Sequence, residues 1–338
     1  MAGNNLIPMA PTGVDGAAVE RTTRIQRVVC GTDFSDGGAA AADVAAEFAR
    51  RLGEPLTLVH AVNEPSRGSL PEELRESLAL FERKQLHDEK ERVIATGVPV
   101  SEHIDAGAPH EVLIEAANEM RARLLVLSCC QRKAALCGLL GSVAERVAEG
   151  APVPTLIVRS PQPLLDWLRG RRALRLFIAA DLTPPSEAAI LWALWLRTLG
   201  RCTLTIAHIE SEQVEPGAFH HYGSPSLLSV YEQVRRTEAR CFRQRVRKLL
   251  GDEPARIRVA SGWGHSDAHL IHLAREERAD LIVTGTHQRE GFDRLVHHSV
   301  SRGLLHYASV NVACVPSPGL LSLQHPVIAP DSTTRQTP

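Results

Sequence analysis

The chain has 338 residues, 44% of them apolar and 23% charged, which is enough material for two buried cores. A formal net charge of −1 gives no electrostatic case for a nucleic-acid partner or an anionic membrane, and no apolar run reaches the length of a membrane span. Seven cysteines at irregular spacings do not form a secreted disulfide framework, and residues 1–23 have no basic start leading into an apolar run, so a cytoplasmic protein is expected.

Residues 1–23 read as a flexible start. Arg27–Gly31 is a short apolar run, the pattern of a strand buried on both faces. A helix opens after Ser35, a good N-cap, and closes at Gly53; its stripe of Ala42, Ala45, Ala46, Ala49 and Leu52 would let it lie close on a sheet. Leu56–Val62 is a second strand, Pro71–Thr96 a long charged helix, and a third strand lies near Pro99–Ile104. A helix from about His110 to Ala122, a strand at Leu124–Ser128, a loop, a helix from Ser142 and a last strand at Thr155–Arg159 complete the run. Residues 161–172, with two prolines and a basic cluster at the end, read as a linker.

The series then repeats. Residues 172–211 match residues 24–63, with Asp33 on Asp181, Thr57 on Thr205 and His60 on His208 at an offset of 148. Residues 280–289 match residues 123–132 at an offset of 157, so the second copy gains nine residues, mostly around Val214–Ser226. Thr183 stands as the cap of the helix in the second copy, with Pro184 at its first position and Gly200 at its end. Domains at 24–160 and 173–316 follow, then a disordered tail at 317–338 rich in Pro, Ser and Thr. The fold class is α/β: two tandem doubly wound parallel five-stranded sheets flanked by helices.

Ligands of such sheets bind at the carboxyl ends of the strands, where the strand order reverses. That places Thr32 and Asp33 after the first strand, Ala61 at the end of the second, Ser128 and Gln131 after the fourth, and Gly141, Ser142 and Val143 at the last helix start. Their counterparts in the second copy include Asp181, Gly285 and Ser299. The Asp-Phe-Ser turn, the LTLVHAV strand and the LLGSVAERVAEGAPVPTLIVR block together resemble the universal stress protein family, over residues 24–160 and again 172–316. The resemblance implies an adenine nucleotide alpha hydrolase-like fold, with the Asp beside the adenosine of a bound ATP. It also implies phosphates held by a Gly-x-x-Gly loop and, nine residues on, by Gly-Ser or Gly-Thr opening a helix. Glycine lets backbone amides approach phosphate, and the helix start adds donors. Here the chain departs from that pattern: Ser128-x-x-Gln131 leads to Gly141-Ser142, and Gly285-x-x-Gln288 leads to His298-Ser299. Each half lacks two of the three glycines, and a glutamine side chain would intrude on the phosphates, so both pockets read as degenerate.

The same residues also have purely structural readings. Ser142 with Glu145 spells a capping box, Asp33 and Asp181 suit a strand-to-helix turn, and His60 and His208 suit buried, hydrogen-bonded positions. Cys129, Cys130 and Cys137 lack zinc spacing but stand on a ligand loop, where a thiol switch would sit; no metal motif is present. No nucleophile is paired with a base at informative spacing, and no Walker sequence occurs, so no enzyme activity is expected. The resulting expectation is a non-enzymatic tandem universal stress protein acting in stress adaptation through contacts with an unknown protein partner. The alternatives are an ATP switch using the first pocket and a thiol redox sensor. The resemblance further implies an intrachain pseudo-dimer joined through Thr155–Arg159 and Val312–Pro316, open to further homo-oligomerisation.

Overall fold

The computed structural model describes residues 26–63, 68, 70–129, 140–211, 225–262, 264–286 and 300–317. The first half runs β1 (Arg27–Gly31), α1 (Asp36–Leu52), β2 (Leu56–Val62), α2 (Glu72–Ile94), β3 (Val100–Ala106), α3 (Pro109–Glu119), β4 (Ala122–Ser128), α4 (Ser142–Gly150) and β5 (Thr155–Val158). After α5 (Pro161–Leu168) the second half runs β6 (Leu174–Ala179), α6 (Pro184–Leu199), β7 (Cys202–Ser211), α7 (Pro225–Leu250) and β8 (Arg256–Gly262). It ends with α8 (Ser266–Glu276), β9 (Leu281–Thr286), α9 (Val300–Tyr307) and β10 (Asn311–Pro316). The expected termini and the segment gained by the second copy fall almost wholly outside the described residues.

Local chemistry sets the ends of α1. The Ser35 hydroxyl accepts a hydrogen bond from the Gly38 amide at 3.1 Å, and Gly53 takes the left-handed conformation at φ 67° to close the helix. The alanine stripe is buried as its spacing predicts, with Ala41, Val44 and Phe48 buried beside it.

The strand order is β3-β2-β1-β4-β5-β10-β9-β6-β7-β8, so each half has the same five-stranded parallel order. The expectation of two sheets needs one amendment: they are joined. β10 pairs antiparallel with β5, Val312 opposite Ile157 and Cys314 opposite Thr155, making one ten-stranded sheet. The physical reason is that β5 and β10 are apolar on both faces, and an unpaired edge there would leave buried amides and carbonyls unsatisfied.

The two cores are consequently divided by face and not by half. Along β1, Val28 and Cys30 join the cluster under α1, α2, α5, α6 and α7, while Val29 joins the cluster under α3, α4, α8 and α9. Each cluster runs through both halves without a break.

Within the expected linker, residues 161–168 form α5. Leu164, Trp167 and Leu168 are fully buried, and the Trp167 ring meets Phe48 edge-on at 5.9 Å. Gly200 owes its place to this ring, since a Cβ there would lie 2.7 Å from Trp167 Nε1. The connecting segment is thus a packed element of the first core.

Asn311 ties the seam between the halves, and Asp280 fixes the residues leading into β6 and β9 beside it. Asn311, fully buried, accepts from the amides of Arg159 (2.9 Å) and Ser160 (3.0 Å). Its Nδ2 donates to the carbonyls of Ser160 (2.9 Å) and Asp280 (3.0 Å). Asp280, also buried, accepts from the Arg175 amide at 3.0 Å and from its guanidinium at 2.8 and 3.1 Å, and pairs with Arg172. Burial pulls the Asp280 pKa up, but the hydrogen bonds from Arg175 and the charges of Arg172 and Arg175 outweigh it and hold the carboxyl below the usual aspartate range. A depressed folded-state pKa adds stability above the unfolded value, and that stability is lost as pH falls through the folded value. Asp280→Asn is therefore expected to cost about 1–2 kcal/mol at pH 7 and to flatten the loss of stability below about pH 4. Urea midpoints measured from pH 7 down to pH 2 check it; a variant whose deficit persists undiminished at the acid end would show that the charge is not responsible.

Candidate functional site

The strand order reverses between β1 and β4 and again between β6 and β9, so the clefts of interest open at the carboxyl ends of those pairs. In the first half, Thr32 is buried and its hydroxyl accepts from the Phe34 amide at 3.2 Å. Asp33 is exposed, and its Oδ1 accepts from the Ser35 amide (3.1 Å) and hydroxyl (2.5 Å). Phe34 between them sits in the left-handed region at φ 59°. His60 closes the turn from below, with Nδ1 2.9 Å from the Thr32 carbonyl and its ring 4.3 Å from that of Phe34. A carbonyl can only accept, so Nδ1 carries the proton.

The second half rebuilds this turn with different side chains. Asp181 Oδ1 accepts from the Thr183 amide (3.0 Å) and hydroxyl (2.6 Å), Leu182 is left-handed at φ 64°, and His208 Nδ1 lies 2.9 Å from the Ala180 carbonyl. Thr183 stands at the N-cap as its position predicts, but its side chain makes no capping bond and serves Asp181 instead. The retained aspartates and histidines thus hold the strand-to-helix turn in both copies.

Ala61 and Ser128, at the ends of β2 and β4, are half-buried beside that turn. Gly141 is the N-cap of α4, and Ser142 and Val143 are its first two residues. The capping box spelled by Ser142 and Glu145 does not form: Ser142 lies inside the helix, and the N-cap is Gly141, which has no side chain to cap it. Glu145 is drawn away by side chains of the other half, with Arg302 at 2.6 Å and His306 at 3.1 Å. Burial raises the Glu145 pKa, yet the hydrogen bonds from His306 and Arg302 bring it below the usual glutamate range. Gln131, Cys130, Cys137, Gln288, His298 and Ser299 lie outside the described residues. Gly285 is described, and it faces a helix. A Cβ there would stand 2.3 Å from the Pro185 carbonyl carbon and 2.6 Å from the Ser186 amide nitrogen, so its bareness lets α6 rest on β9.

Cys129 is buried at the end of β4. Burial pushes the thiols of Cys30 and Cys314 far up and that of Cys202 up to about 12, which leaves these three without thiolate at neutral pH. Among the described residues no group of three or more His, Cys, Asp or Glu side chains could hold a metal ion, and no helix is long and apolar enough to cross a membrane.

The universal stress protein family matches this chain twice, at residues 24–159 and 174–316. The chain belongs to that family. A universal stress protein of Mycobacterium tuberculosis is 28% identical over 303 residues, covering 84% of this chain and 95% of its own length. A solved universal stress protein of Archaeoglobus fulgidus covers 86% of this chain and 98% of its own with a TM-score of 0.62 at 17% identity, which is a likeness of fold. A universal stress protein solved in complex with cAMP is 30% identical over 40% of this chain, with a TM-score of 0.33.

As a tandem universal stress protein, the chain has a seam that sequence reasoning only partly reached. The pairing of the last strands was legible from the family; Asn311, Asp280 and the Glu145–Arg302 pair were missed. A signal for the last did exist. Glu145 and Arg302 are counterparts at the same offset of 157, so they lie where each copy's α4-type helix meets its twin. In a homodimer a residue on the two-fold axis meets itself, and two glutamates would repel. Duplication within one chain allows that contact to become a glutamate facing an arginine.

Proposed function

We propose that this universal stress protein is a non-enzymatic component of the stress response that works through protein contacts, with strand-end pockets given over to holding the fold. The observation that carries this is the matched turn: Asp33 and Asp181, the residues that would flank an adenosine, each spend Oδ1 on two bonds within their own turn. The packing of Gly285 against α6 supports the same reading for the second half.

A nucleotide-responsive reading rests on α4. Its N-cap, Gly141, brings no capping side chain, and Gly141-Ser142 retains the glycine-then-hydroxyl start that suits a phosphate. A redox reading would fall on Cys129, Cys130 and Cys137, of which Cys129 is buried.

Purified protein is expected to release no nucleotide on denaturation, measured by mass spectrometry, and to give no heat on calorimetric titration with ATP. Adenine nucleotide recovered from the native protein and lost on Asp33→Ala or Gly141→Val would overturn the scaffold reading in favour of a ligand switch in the first half. Slow conversion of ATP to ADP by the purified protein would overturn the absence of enzyme activity.

A further inference from the structure

Two counterpart helices keep large apolar side chains in water. α2 is anchored by Leu86 and Val93, which are buried, while before them Leu74, Leu80 and Phe81 are 46%, 72% and 57% exposed. α7 repeats this arrangement: Ala239, Phe242, Val246 and Leu250 are buried, and before them Val230 and Val234 are 57% and 49% exposed. At about 3.6 residues per turn, Leu80 and Phe81 point away from the line through Leu86 and Val93. Val230 and Val234 likewise point away from the line through Phe242 and Val246. Single exposed apolar residues are ordinary, but these gather at the starts of two matching helices, where each helix has least core to hold it.

The charges of the two helices are opposite. Up to Phe81, α2 carries Glu72, Glu73 and Glu76 against Arg75 alone, whereas α7 carries seven basic residues and two acidic. Some of these are already matched: Glu72 pairs with Arg75, Arg236 with Glu232, Arg235 with Glu210 of β7, and Arg245 with Glu187 of α6. Glu73 and Glu76 on α2, and Arg240 and Arg247 on α7, are exposed and have no oppositely charged partner among the described residues. The two helices cannot meet within one chain. They cover the same face of the ten-stranded sheet, α2 on β2 and β3 at one end and α7 beside β7 and β8 at the other. At about 4.8 Å per strand this sets them roughly 40 Å apart.

We propose that this face binds a second copy of the chain, with α2 of each copy lying on α7 of the other. A two-fold rotation about an axis along the strands exchanges the ends of the sheet and turns the helical faces toward each other, so both contacts form at once and the association closes at two copies. The halves run in opposite senses across the β5–β10 pair, so this rotation sets α2 antiparallel to the partner's α7. In that sense Glu73, Glu76, Leu80 and Phe81 follow in order along the partner's Arg247, Arg240 and Val234. Pairing α2 with α2, or α7 with α7, would set like charges together. The contact is independent of what the strand-end clefts hold.

The test is light scattering and sedimentation equilibrium on the full chain at low salt, where the expected mass is twice 36.9 kDa. Leu80→Ser with Phe81→Ser should raise the dissociation constant about tenfold or more. Glu73→Lys with Glu76→Lys should weaken the dimer by about as much, and so should Arg240→Glu with Arg247→Glu. The four charge reversals combined in one chain should restore it, because the acidic and basic helices have then exchanged roles. Every altered side chain is exposed, and circular dichroism checks that the variants fold. A monomer at sub-millimolar concentration would overturn the proposal and leave these helices to a different protein. So would an open polymer, a dimer unmoved by either pair of charge reversals, or a combined variant no tighter than the weaker of its parents.

Discussion

Asn311→Ala is expected to lower the free energy of unfolding by about 3–5 kcal/mol, one of the largest losses from any single polar substitution in this chain. The carboxamide is fully buried and makes four hydrogen bonds, two as acceptor and two as donor. All four partners are main-chain groups: the amides of Arg159 and Ser160 and the carbonyls of Ser160 and Asp280. They lie where the chain leaves β5 and where it enters β9, so they belong to opposite halves. Truncation strands several buried backbone groups at once, each worth about 1–3 kcal/mol when left unmatched. Asn311→Asp separates hydrogen bonding from shape, because it keeps both acceptors and loses both donors; it should be nearly as damaging at pH 7. Urea unfolding followed by circular dichroism reads both. A loss under 1 kcal/mol for the alanine variant would mean that water enters the seam and takes over the bonds.

Gly285→Ala is expected to cost about 3 kcal/mol or more, although it adds one methyl group. The new carbon would stand 2.3 Å from the Pro185 carbonyl carbon and 2.4 Å from its oxygen, well inside contact distance. These are backbone atoms at the start of α6, so relief requires moving the helix off β9, and α6 carries Ala189, Ile190, Ala193 and Leu196 into the first core. Truncating Pro185 to alanine should therefore not rescue the variant, since the colliding atoms remain. Rescue by Pro185→Ala would show that the ring, and not the main chain, sets the fit. In the first half Ser128 occupies the matching strand position and Gly37-Gly38 the matching helix start, so the glycines fall on the strand in one copy and on the helix in the other.

That exchange bears on how much of the site could be read from residues alone. Compared with a phosphate-loop pattern, Gly285 looks like a surviving ligand residue and Ser128 like a lost one. In the fold, Gly285 has a steric reason that involves no ligand. Asp33 and Asp181 were legible as turn residues because an aspartate two positions before a hydroxyl residue can close a turn by itself, and both do. Ser142 and Glu145 misled for the opposite reason. A capping box is a local pattern, and here a stronger pull from Arg302 and His306 of the other half removes the glutamate from it.

What the sequence determined by itself was whatever depends on neighbours along the chain. The repeat at offsets of 148 and 157 revealed the duplication. Continuous apolar runs separated by helical periods revealed the parallel strands, and β1 and β2 begin and end where those runs do. Serine before α1 and glycine after it marked that helix correctly. What only the tertiary structure decided depends on residues more than a hundred positions apart. A buried asparagine at the head of β10, a tryptophan in an expected linker and an arginine facing its own counterpart carry no local signature. Their roles arise because two sheets meet at β5 and β10, which turns the ends of two domains into the middle of one. Polar groups that would be solvated at a domain edge are buried there and must find partners within the protein, as Asn311 does with Arg159 and Ser160 of the other half.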